Sequence, residues 1–217
     1  MTEPARLALI TPVIAEPQAF APLLRAACAA APIAAVLLRL EAADERTLVN
    51  RVKALAPLAQ EHGAAVIVWL AGPLPPGLDA ATVAVRGGAD GVHAPSPDAL
   101  AALRERLGAE RSLGVGGLRS KHDAMGAGEA GADYLLFGER RADGTLPPLD
   151  QVAERAAWWA EIFETPCMAV APTLDAVAPL AGTGAEFVAL DGAAWAQPDG
   201  PAAVRDAAGL LAAGGQA

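Results

Sequence analysis

Gly63-Ala64-Ala65-Val66-Ile67, Gly88-Ala89-Asp90-Gly91-Val92, Gly131-Ala132-Asp133-Tyr134-Leu135 and Gly184-Ala185-Glu186-Phe187-Val188 decide the fold of this chain. Each copy follows a helix-like stretch and runs straight into a short apolar segment. Glycine just past a helix suits the left-handed cap that stops it, having no Cβ to clash. The apolar run that follows has the pattern of a strand buried on both faces, as in a parallel sheet. A helix stop feeding a buried strand, reused along one chain, is the rhythm of a βα-repeat protein.

Working outward, eight strand–helix units can be marked. The strands are expected at Leu7–Thr11, Ile33–Leu40, Ala65–Leu70, Gly91–His93, Ser112–Val115, Tyr134–Phe137, Cys167–Ala171 and Phe187–Leu190. The helices are expected from Pro17 to Ala31, from an Asp44 N-cap to His62, and up to Gly87 after the Gly- and Pro-rich loop of residues 72–77. Further helices follow a Ser96 cap with Pro97 at the first position, run from Ser120 to Ala130, and end near Phe163. The last two run from a Thr173 cap to Leu180 and from Pro198 to about Ala213. Eight units in 217 residues are roughly 27 residues each, near the lower end for an eight-fold barrel. An open doubly wound sheet would need a Gly-rich turn after the first strand, and Thr11-Pro12-Val13 is no such turn. The expected fold is a single-domain (β/α)8 TIM barrel over residues 1–217.

Composition agrees and excludes some partners. The chain is 53% apolar but only 4% aromatic, so Ala, Leu and Val must fill its core. The Ala and Gly content suits helices packed closely on a sheet, and a GC-rich genome would also produce it. A formal charge of −9 argues against nucleic acid and anionic membranes as partners. It leaves room for a small phosphorylated ligand, which needs only local donors. Cys28 and Cys167 are far apart without metal-like spacing, and read as buried thiols in a reducing compartment. No stretch is apolar enough to span a bilayer, and no signal peptide is visible, so a cytoplasmic location is expected.

Barrel enzymes keep their chemistry at the C-terminal ends of the strands. The candidates there are Thr11, Arg39, Glu41, Trp69, His93, Asp98, Gly116, Gly117, Glu139 and Asp191. Arg39 either pairs with Glu41 or Asp44 at the rim or grips a ligand. His93 is a hydrogen-bonded core residue or an acid–base group. Asp98, early in a helix, favours the dipole there or holds a metal. Glu139 and Asp191 are solvated rim carboxylates, or they do acid–base work or hold a cation together. Trp69 floors a planar ligand or plugs the space where one would sit. Trp158, Trp159 and Phe163 on the sixth helix suggest barrel packing or a homodimer interface.

The segments Val36-Leu37-Leu38-Arg39, Gly88 to His93 with Asp98, Leu113-Gly114-Val115-Gly116 and Gly131-Ala132-Asp133-Tyr134 resemble the thiamine-phosphate synthase and thiazole tautomerase family. The resemblance runs from about Leu7 to Trp195 and is strongest between Gly88 and Gly138. It implies a transferase of thiamine biosynthesis that condenses hydroxymethylpyrimidine diphosphate with a thiazole phosphate, with magnesium and basic residues balancing the departing pyrophosphate.

Held to that family's pattern, Arg39 matches its strand-two arginine, but the following lysine position holds Glu41. The asparagine–aspartate pair after strand three falls at about Val68 to Leu70, where Trp69 and Leu70 offer no metal ligand. Asp98 matches the second metal-binding aspartate. The serine and histidine after strand five are replaced by Gly116-Gly117-Leu118, and the threonine-rich loop with its lysine by Glu139 to Thr145, where Arg140 or Arg141 would supply charge. The glycine pair after strand seven becomes Ala171-Pro172-Thr173, and Pro172 removes a backbone N–H from a phosphate cradle. Asp191 adds negative charge where the family places phosphate. The sequence therefore points first to a divergent member that lacks the standard reaction and binds a small ligand at the barrel mouth, with magnesium implied only if the synthase chemistry holds. The alternatives are a genuine synthase or tautomerase with replaced residues, and a non-catalytic partner-binding barrel.

Overall fold

The computed structural model describes residues 4–72, 74–141, 143–196 and 198–214. Eight parallel strands close into one barrel in sequence order. They are β1 (Arg6–Ile10), β2 (Ala35–Glu41), β3 (Ala65–Ala71), β4 (Gly91–Ala94), β5 (Ser112–Val115), β6 (Tyr134–Phe137), β7 (Cys167–Ala171) and β8 (Phe187–Leu190). The helices between them are α1 (Pro17–Ala30), α2 (Glu45–Gln60), α3 (Ala80–Gly87), α4 (Leu100–Leu107), α5 (Lys121–Glu129), α6 (Leu149–Ile162), α7 (Val177–Ala181) and α8 (Gly200–Gly214). The (β/α)8 expectation is met. β1 pairs with β8 from Arg6↔Phe187 to Leu9↔Leu190, which leaves no open sheet edge.

Strand alternation sorts the side chains into two apolar layers. Ala8, Ile10, Leu37, Ile67, Tyr134, Leu136, Met168, Val170 and Ala189 fill the barrel. Leu9, Leu38, Val68, Leu113, Leu135 and their neighbours face outward against the helices. Tyr134 fits inside only because β5 has Gly114 beside it; a methyl group there would run into the tyrosine ring.

All four repeated glycines adopt the left-handed conformation, with φ of 81°, 83°, 84° and 85° at Gly63, Gly88, Gly131 and Gly184. Three of the copies carry an acidic residue next, and the structure gives it a task that the sequence reading did not assign. The Asp90 carboxylate accepts the Val66 N–H on β3 at 2.7 Å, Asp133 accepts Leu113 N–H on β5 at 2.7 Å, and Glu186 accepts Cys167 N–H on β7 at 2.8 Å. Each carboxylate thus fastens its own strand to the preceding one at the floor of the barrel.

Two expected caps are not made. The Ser96 and Thr173 side chains accept no capping bond; each residue instead opens a 3-10 turn, Pro97–Ala99 and Leu174–Ala176, before its helix. Their backbone carbonyls serve as acceptors, taking the N–H of Ala99 and Ala176 at 3.2 Å. Asp44 does cap α2 through Thr47 N–H, and Ser120 and Asp123 form a capping box on α5. A third 3-10 turn, Ala193–Trp195, was not foreseen; it lets the Trp195 indole N–H donate to Ile10 O at 2.7 Å. The start of the last helix expected at Pro198 falls at Gly200, and Gln197 lies outside the described residues. Among the described residues no helix is long and apolar enough to cross a membrane.

Candidate ligand site at the barrel mouth

A cavity of about 980 Å³ opens at the C-terminal end of the barrel, between the ends of β3 to β6 and α6. Trp69, His93, Asp98, Gly116, Gly117 and Glu139 all line it. Arg39 and Asp191 do not belong to its lining; they pair at the ends of β2 and β8, with Arg39 beside Trp69.

Arg39 projects from β2 toward the end of β8. Its guanidinium meets Asp191 at 2.9 Å, its Nε donates to the Thr11 carbonyl, and its backbone N–H donates to Thr11 Oγ1 at 2.9 Å. The rim partners expected for it, Glu41 and Asp44, are not used: the Glu41 carbonyl takes Arg51, and Asp44 caps α2. Burial lowers the Arg39 pKa and the Asp191 charge opposes that shift, so the guanidinium stays charged and is neutralised in place. The Trp69 ring flanks the guanidinium, 5.5 Å from it.

His93 ends β4 and is 2% exposed. Its Nδ1 lies 3.0 Å from the Tyr134 hydroxyl, and its ring centroid is 4.4 Å from that of Trp69. Nε2 is buried without a hydrogen-bond partner among the described residues. Burial pushes the imidazole down to about 3, which keeps it neutral at ordinary pH. Tyr134 is the residue that sequence reading missed. The available signal was the strand alternation that turns it inward, with a glycine on the neighbouring strand to make room.

The Glu139 carboxylate accepts the Gly117 N–H, and burial raises its pKa. Glu139 and Asp191 therefore do not form a joint cation site: one is bonded to a backbone amide, the other to a guanidinium. Asp98 sits in a three-residue 3-10 turn rather than the expected helix. Among the described residues no three His, Cys, Asp or Glu side chains gather to hold a metal. With Trp69 and Leu70 at the companion position, the donor set does not fit the magnesium that the resemblance implies.

Arg119, Arg140, Arg141 and Arg155 also line the cavity, against only Asp98, Glu139 and Asp143. Arg155 is fixed on the carbonyls of Leu118 and Arg119, and Arg140 on that of Gly144. A chain of net charge −9 thus presents a locally cationic rim. On α6, Trp159 is 1% exposed, bonds Thr165 O through its indole N–H and stacks on Phe163, so it packs the barrel. Trp158 is half-buried between Phe163 and Lys121.

A closed parallel barrel with a cavity at its C-terminal mouth defines the class of single (β/α)8 barrels. Within that class, the family model described as thiamine monophosphate synthase matches residues 7–193, and the chain belongs to this family. The thiamine-phosphate synthase of Rhodospirillum centenum is 40% identical over 201 residues, covering 91% of this chain and 93% of the relative. That of Erythrobacter litoralis is 35% identical over 83% of each chain. A solved thiamine phosphate pyrophosphorylase from Pyrococcus furiosus superposes with a TM-score of 0.76 over 96% of both chains at 22% identity. A 3-hexulose-6-phosphate synthase superposes with a TM-score of 0.68, covering 94% of this chain and 99% of the other at 16% identity. These two likenesses speak to the fold alone.

Proposed function

We propose that this chain is a divergent member of its family that binds a small planar molecule in the β3–β6 side of the mouth and does not carry out the magnesium-dependent condensation. One observation carries the reading: Arg39, the one residue that matches the family's strand-two motif, is already engaged by Asp191 at 2.9 Å. The residue set supports it further, since Trp69 and Leu70 stand where the resemblance places an asparagine–aspartate pair that holds substrate and metal. Its partner is a small molecule rather than nucleic acid or a membrane, in keeping with the charge of −9. A homodimer through the Trp158 side of α6 is compatible with this role.

A second reading, genuine thiamine-phosphate synthesis with replaced residues, is favoured by the relatives' names and by the arginines at the rim. The test is incubation with hydroxymethylpyrimidine diphosphate, thiazole phosphate and magnesium, followed by chromatography for thiamine phosphate. The first reading expects no product above the uncatalysed background. Robust turnover overturns it in favour of the second.

A further inference from the structure

Glu139 presents an acceptor at the wall of the mouth cavity. One carboxylate oxygen, Oε1, accepts the Gly117 N–H, a bond made at the exposed surface rather than in the core. The other, Oε2, has no hydrogen-bond partner among the described residues. His93 Nε2 is the one side-chain polar atom there that is both unpartnered and shut off from solvent. Oε2 is therefore accessible, and it opens on the cavity that Glu139 lines. The Gly117 amide holds the carboxylate in direction, so the second oxygen loses little freedom when a donor reaches it.

The protein leaves this acceptor unused. Four arginines share the cavity wall, yet Glu139 enters none of the ion pairs found among the described residues. Arg155 and Arg140 spend donors on the carbonyls of Leu118, Arg119 and Gly144. Arg119 and Arg141 are exposed, and their guanidiniums make no hydrogen bond among the described residues. The wall thus offers a fixed acceptor and, separate from it, cations with open donors, with the Trp69 ring beside them. Four arginines against Asp98, Glu139 and Asp143 leave one positive charge in excess, which a monoanion balances and a dianion exceeds. Burial raises the Glu139 pKa, so a donor that replaces lost hydration at this carboxylate is welcome.

We propose that the cavity takes a planar N–H heterocycle bearing a carboxylate at its far end, whose ring N–H donates to Glu139 Oε2 and whose carboxylate meets Arg119 and Arg141. Trp69 supplies an aromatic face for the ring. An organic cation is repelled by the arginines, and an acid without an N–H leaves Oε2 without a donor. The inference rests on the proposed ligand-binding role of the mouth and names the class of ligand read there.

The probe is indole-5-carboxylate, which carries its donor and its acid group at opposite ends. The controls are 1-methylindole-5-carboxylate, which lacks the donor, and indole, which lacks the charge. Isothermal titration calorimetry is expected to show saturable binding of the probe and at least tenfold weaker binding of each control, as a hydrogen bond to a charged acceptor is worth about tenfold or more. Glu139→Gln keeps the size of the side chain and is expected to remove the preference for the N–H probe over its methylated form. Arg119→Ala with Arg141→Ala, both at exposed positions, is expected to keep that preference and to bring the probe down to the affinity of indole.

Three results overturn the inference: no binding of indole-5-carboxylate, less than tenfold discrimination against either control, or an N–H preference that Glu139→Gln leaves intact. Should Glu139→Gln fail to fold, the two controls on the wild-type protein decide the matter alone. Failure of the broader reading shows separately, as turnover in the synthase assay.

Discussion

His93 is held neutral by burial, and this makes it an acid-sensitive point of the fold. Its pKa is about 3 in the folded chain against 6.5 ordinarily, so below 6.5 the unfolded chain binds the extra proton. Stability from this group is complete above pH 6.5 and is lost progressively as pH falls toward 3, by at most about 1.4 kcal/mol per pH unit. Glu139 acts in the opposite sense: its raised pKa costs stability as pH rises through the folded value. Thermal melts of the wild type and His93→Gln between pH 7 and 4 are expected to converge on acidification, as the variant has no imidazole to protonate. A second residue-scale expectation concerns the mouth pair. Asp191→Ala strands the Arg39 guanidinium and is expected to cost ~2 kcal/mol in urea unfolding, while Arg39→Met with Asp191→Leu recovers most of it. The sequence showed both residues as strand-end charges but not as partners, because barrel closure is what joins positions so distant along the chain. Trp69, His93, Gly116, Gly117 and Glu139 were legible as mouth residues for a simpler reason: each ends a strand whose limits could be read.

At the scale of elements, the repeated glycines were legible because their conformation is a local demand. Gly88 has φ of 83° and no atom within 4 Å of a β-carbon built on it, so Gly88→Ala measures backbone strain alone. Its expected cost is ~1 kcal/mol by denaturant titration. Caps were less legible, since a serine or threonine before a helix serves equally through its side chain or its carbonyl. Asp79 caps α3 by accepting from Ala81 and Thr82, whereas Thr173 contributes only its carbonyl. Asp79→Ala is accordingly expected to cost about 1 kcal/mol and Thr173→Ala to fall within ~0.5 kcal/mol. The acidic residues after Gly-Ala were written plainly in the sequence, yet their acceptor role depends on a neighbouring strand that only the assembled sheet supplies.

For the whole molecule, closure of β8 on β1 makes the barrel one cooperative unit. Truncation before Phe187 would bare the edges of β1 and β7, and the product is expected in the insoluble fraction on centrifugation. The even distribution of strands along the chain made this architecture readable from end to end. The charge balance of the mouth was readable only at Arg140 and Arg141, because the other arginines that rim it come from a separate loop and from α6. The floor carboxylates have one more consequence, which concerns the order in which the barrel loosens. Of the four pairs made by an odd-numbered strand and the next, β3–β4, β5–β6 and β7–β8 are each fastened from below by Asp90, Asp133 or Glu186, while β1–β2 has no such side chain among the described residues and is tied from above by Thr11 and Arg39. Among these four pairs, β1–β2 is the seam. Amide hydrogens of Ala35 to Leu37 are expected to exchange with deuterium earlier than those of β4 to β7, as breathing starts where the lower fastening is missing.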